Sequence, residues 1–163
     1  ERIFSYVEQG GIFVNVADVP GYWKHILAIS RKLNATPAYY DPTELYPEKR
    51  FFHRTPFVEK LGLRIINAKS INGALQVTIS DYSQLFKGVD IDTLKMDRLA
   101  RVERNIKPIV EVAIDGNPDI FTPLYFAEYG SGRFLISLYF IDQSRSENRQ
   151  IKRVICDLIR IMN

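Results

Sequence analysis

An α/β domain is the fold class that this sequence predicts, with a mixed, mainly parallel sheet, helices on both faces and an antiparallel extension near the carboxyl end. Three observations predict it. An amphipathic stretch over residues 1–9 meets Gly10-Gly11 and runs at once into the apolar segment Ile12-Phe13-Val14-Asn15-Val16-Ala17, which reads as helix, tight turn and strand. That strand lacks a polar alternate face, so it is expected to be covered on both sides, as in an α/β sheet. At the other end, three strand-like segments precede a helix with a continuous apolar stripe.

The elements follow in order. Val19-Pro20-Gly21 breaks the chain, and residues 22–33 carry Trp23, Ile26 and Leu27 at helical spacing with Arg31 and Lys32 in the last turn, where cations suit the helix dipole. Residues 34–54 have neither period. Pro37, Pro42 and Pro47 are interleaved there with Tyr39, Tyr40, Tyr46, Phe51 and Phe52, and irregular segments of that length tend to be functional. Thr55-Pro56 then caps a short helix carrying Phe57, Val58 and Leu61, stopped by Gly62. Residues 63–69 and 74–80 flank Asn72-Gly73, a pair that favours the positive φ angles of a hairpin turn. Residues 81–86 read as a helical turn. Residues 91–105 carry Leu94, Leu99 and Val102 at helical spacing. Residues 108–115, 121–129 and 133–140 read as strands separated by Asp115-Gly116-Asn117-Pro118 and Gly130-Ser131-Gly132. Asp142 or Ser144 is placed to cap the last helix, whose inward stripe is Ile151, Val154, Ile155, Leu158, Ile159 and Met162.

The 163 residues, 46% hydrophobic and 25% charged, suit one globular domain over 1–163 that buries its own core. No run of eighteen uncharged apolar residues suggests a membrane span. The net charge of +3 permits anionic partners without demanding them. The single Cys156 excludes an internal disulfide and a cysteine-rich zinc site, and fits a cytoplasmic setting. Phosphate-loop, dinucleotide, HExxH and Gly-x-Ser-x-Gly patterns are all missing, so no cofactor or metal is expected. The oligomeric state has no signature.

Two segments together resemble the class I glutamine amidotransferase-like superfamily, including its ThuA-like and non-catalytic branches. One is the opening helix, Gly10-Gly11 and the following strand; the other is Tyr129-Gly130-Ser131-Gly132-Arg133-Phe134-Leu135-Ile136-Ser137 before the terminal helix. The resemblance implies an α/β fold whose first strands lie upstream of Glu1. It does not extend to the glutaminase reaction, which needs a cysteine on a strained strand-to-helix elbow. Cys156 falls inside the terminal helix instead, and Val16-Ala17-Asp18-Val19-Pro20-Gly21 offers no nucleophile.

Asp18 stands at the carboxyl end of the first strand, where open α/β sheets bind ligands. A turn or cap is its simpler role. Trp23 and His25 follow closely, but no second ligand stands at metal spacing from His25, and a surface histidine is its ordinary reading. The segment Glu48-Lys49-Arg50-Phe51-Phe52-His53-Arg54 interleaves cations and rings that can grip phosphates and stack, or simply anchor a solvated loop. The leading expectation is a non-catalytic binding module for a small molecule or protein, using Asp18, Trp23, Tyr39, Tyr40, Arg50, His53 and Arg54. The first alternative is a hydrolase acting on a small or carbohydrate-like substrate, with Asp18 and His25 as acid and base. The second is a nucleic-acid module built on Arg98, Arg101 and Arg104, along one helical face interspersed with Asp97 and Glu103, together with Lys107. Asp90 with Asp92, and Asp115 with Asp119, are close in sequence but lie in turn segments.

Overall fold

A computed structural model of the chain describes residues 2–16, 56–68, 73–91, 94, 96, 98–139 and 146–162. Helix α1 (Arg2–Glu8) buries Phe4 and Val7, one turn apart on a single face. It ends in paired bonds from the Gly10 N–H to the Val7 carbonyl (3.0 Å) and from the Gly11 N–H to the Tyr6 carbonyl (3.0 Å). This is the reciprocal C-terminal cap that needs a left-handed residue, and Gly10 supplies it at φ 101°. Strand β1 (Ile12–Val16) follows directly, and α2 (Pro56–Leu61) forms where Pro56 and Gly62 predict it.

The remaining strands are β2 (Ile65–Asn67), β3 (Leu75–Ile79), β4 (Arg98–Arg101), β5 (Ile106–Ile114), β6 (Ile120–Tyr129) and β7 (Gly132–Ser137). A 3-10 turn at Ser83–Phe86 precedes β4, and α3 (Ser146–Met162) follows β7. All seven strands join one sheet, ordered β1-β7-β6-β4-β2, with β5 along the opposite edge of β6 and β3 beyond β5. Long β6 therefore serves two strands on one side. Phe121 and Thr122 pair with β4, whereas Leu124 to Tyr129 pair with β7. Pro123, which has no N–H to give, marks the change of partner, and its carbonyl accepts the Leu138 N–H at 2.7 Å. A second proline, Pro108, lies at a register shift in β5.

This architecture overturns the expected mainly parallel α/β sheet with helices on both faces. Strand dominates, and β1 with β7 is the sole parallel pair among the described residues; the other pairings are antiparallel. What was expected as a carboxyl-terminal antiparallel extension, β5-β6-β7, is the body of the sheet. The helices are not crossovers between parallel strands. Instead α1 and α2 seal Phe134, Ile136, Tyr125 and Ala127 on one side, and the α3 stripe Ile151, Val154, Ile155 and Leu158 packs on Leu124, Phe126 and Leu135. Strand β1 was expected in the interior, yet it ends the strand order and is half-buried.

Two further expectations are corrected. No hairpin joins the segments around Gly73, because β2 pairs with β4 and β3 with β5. Their burial explains this: Ile65 is fully buried in the α1/α2 core, whereas β3 keeps one face exposed and turns Val77 towards the other clusters. Residues 98–101 are strand β4 and not helix. Leu99 and Ala100, adjacent in sequence and on opposite faces of β4, are both fully buried, so this strand is covered on both faces.

Candidate recognition site at the carboxyl end of the parallel pair

Because β1 and β7 run parallel, both deliver the chain to the same end of the sheet. Their last register pair is Val16 with Ser137. Every residue singled out for ligand binding or acid–base work, namely Asp18, Trp23, His25, Tyr39, Tyr40, Arg50, His53 and Arg54, falls in 17–55, outside the described residues. The strand end from which that segment leaves is described, and it has its own character.

Ser137 and Tyr139 alternate along β7 and its extension, so they share the α3 side of the sheet. Each is 1% exposed, and neither the Ser137 nor the Tyr139 hydroxyl has a hydrogen-bond partner among the described residues. Gln150, in the early turns of α3, likewise has a buried Oε1 without a partner. Burial pushes the Tyr139 phenol well above its ordinary range, so it stays a neutral donor. By contrast the buried Thr122 hydroxyl is satisfied locally, donating to the Leu124 carbonyl at 2.8 Å. Buried polar atoms are nearly always paired, so the Ser137 and Tyr139 hydroxyls, left over on one side of the sheet, mark a place where a polar group from elsewhere can be received. They can donate and accept hydrogen bonds but cannot shuttle protons near neutrality. Tyr125 also has an unpaired hydroxyl, pushed upward by burial, but its ring lies in the α1/α2 core.

The opposite end of the parallel pair is closed by backbone. The Ser131 N–H donates to the Glu8 carbonyl (3.1 Å) and the Arg133 N–H to the Gly11 carbonyl (3.3 Å), so the two glycine segments singled out in the sequence meet. A Cβ on Gly132 would lie 2.1 Å from the Val7 oxygen and 2.3 Å from the Gly11 oxygen.

The proposed nucleic-acid stripe does not form. Arg98 and Arg101 are in β4, Arg104 is in the following turn and Lys107 is in β5. Arg101 pairs with Asp119 at 2.9 Å and with Glu103 at 3.6 Å, Arg64 also reaches Glu103 at 3.7 Å, and Lys107 is held by Glu128. Asp119 is thereby paired with Arg101, and Asp115 lies in the turn after β5. Cys156 is exposed on α3. Among the described residues no group of His, Cys, Asp and Glu is arranged to hold a metal, and no helix is long and apolar enough to cross a membrane.

Nothing in the sequence flagged Ser137, Tyr139 or Gln150. The available signal was a serine placed inside the otherwise apolar run from Phe134 to Tyr139. No family model, curated protein or solved structure matches the chain.

Proposed function

We propose that the chain is a non-catalytic recognition module whose ligand-facing surface is the carboxyl end of the β1–β7 pair. The supporting observation is the pair of buried hydroxyls on Ser137 and Tyr139, both on the α3 side of the sheet and without partners among the described residues; Gln150 in α3 carries a further buried oxygen of that kind. The group that suits these atoms is a neutral, hydrogen-bonding part of the ligand. Asp18 follows β1 by two residues, and Trp23, Tyr39, Tyr40, Arg50, His53 and Arg54 supply the stacking and charge that the described strand end lacks.

Protein-observed NMR against a panel of small polyols, sugars and neutral metabolites tests the proposal. Ligand-induced shifts are expected to gather on the amides of Val16, Ser137, Tyr139 and Gln150 and to disappear in Asp18→Ala combined with Tyr40→Ala. Shifts that gather on α1 or on the β3–β5 edge, or that survive replacement of 34–54 by a Gly-Ser chain, overturn it.

A further inference from the structure

We propose that the outer face of α3 is a docking surface for the phosphate backbone of duplex nucleic acid. This rests on a different part of the molecule from the strand-end site. With Ile151, Val154, Ile155 and Leu158 buried against the sheet, the helix turns Arg149, Lys152, Arg153 and Arg160 outward, all exposed. At 3.6 residues per turn these four cations and Cys156 occupy about 100° of arc, and they extend for about 16 Å along the axis. The α3 sequence holds two acids, Glu147 and Asp157, against those four cations. Among the described residues Asp157 pairs with Arg160, at 2.9 Å, and the Arg160 side chain stays largely exposed. The Arg153 guanidinium donates to the Lys87 carbonyl at 2.9 Å, which brings exposed Lys87 to the edge of the same face.

The chemistry of this face selects among anionic partners. A protein partner would need a central apolar or aromatic anchor to bury. Between the cations this face offers only a thiol. Single-stranded nucleic acid would need exposed rings for stacking, and α3 has none. Three of the four cations are arginines, whose forked donors match phosphate oxygens. A straight row of about 16 Å runs past four or five phosphates of one strand, spaced about 3.4 Å apart along the duplex axis. Contacts of this kind carry no sequence information, so binding is expected to be indifferent to sequence.

The test is fluorescence anisotropy of the full chain with a labelled 20-base-pair duplex of arbitrary sequence over a sodium chloride series. Four phosphate contacts predict a slope of log K against log salt of about −3.6, or about a 100-fold loss of affinity between 50 and 200 mM. Arg149→Gln with Lys152→Gln should reduce the slope by about two. Arg104→Gln with Lys107→Gln, which removes the same charge elsewhere, should leave it unchanged. Cys156 is the sole cysteine of the sequence, so maleimide labelling reads the same face without substitution, and saturating duplex should slow it about tenfold. Absent or salt-insensitive binding, equal losses in both double variants, an unprotected Cys156, or displacement of duplex by polyglutamate at equal charge each overturns the proposal.

Discussion

The two ends of the β1–β7 pair are built from the same two strands and solve opposite problems. At the amino end, Gly10-Gly11 and the Gly130-Ser131-Gly132 turn press backbone against backbone, with amide donors and carbonyls matched across the junction. At the carboxyl end, the Ser137 and Tyr139 hydroxyls are buried without partners among the described residues. Backbone seals the end where the glycines meet, whereas the other end buries hydroxyls that have no partner among the described residues. The difference teaches that one strand pair can be fixed by backbone contacts at one end while burying unpartnered hydroxyls at the other.

The largest expected effect comes from filling the closed end. Gly132→Ala places a Cβ against two carbonyl oxygens of the backbone, neither of which can swing aside, and should cost about 3 kcal/mol or more by equilibrium denaturation. A loss below about 1 kcal/mol would mean the junction is not closed as described.

A smaller effect separates the buried tyrosines by pH. Burial raises the phenols of Tyr125 and Tyr139, so the native state keeps protons that the unfolded chain releases above a pKa of about 10. Their contribution is complete below that value and falls as pH rises through it, by up to about 1.4 kcal/mol per pH unit for each phenol. Urea melts at pH 9 and 11 should show the loss, and Tyr139→Phe should remove about half of it. An unchanged pH dependence in Tyr139→Phe would place that hydroxyl in contact with solvent.

The smallest effect sharpens the open end. Ser137→Ala and Tyr139→Phe remove hydroxyls that have no partner, and each should leave stability unchanged or raise it by up to about 1 kcal/mol. A loss of more than 1 kcal/mol in thermal or urea melts would show that the hydroxyl is already engaged within the fold.

Much of the carboxyl-terminal half was legible because its signals are local. The turns at Asp115-Gly116 and Gly130-Ser131 bound strands 9 and 10 residues long, and the 3.6-residue stripe of α3 reads directly from Ile151 to Met162. Strand direction was not legible. The apolar run of β1 looks the same whether its neighbours are parallel or antiparallel, and most of this sheet is antiparallel. In β4, Leu99 and Ala100 are buried on both faces, which erases the alternation that marks a strand, while flanking Arg98 and Arg101 imitate a helical spacing. The turn chemistry at Asn72-Gly73 suggested a hairpin, but β2 pairs with β4 and β3 with β5. The candidate binding residues fall in 17–55, and the polar atoms that the described strand end contributes carry no periodic or motif signature.

Parallel pairing of Ile12–Val16 with Arg133–Ser137 also has a kinetic consequence. Contacts between segments so far apart in sequence require closure of a very long loop, and chains rich in such contacts fold slowly. Among the described strands β1 pairs with β7 alone, which is the last to be synthesised. The β5–β6–β7 meander, built from near neighbours, is therefore the natural nucleus, and the amino-terminal helix and strand dock onto it last.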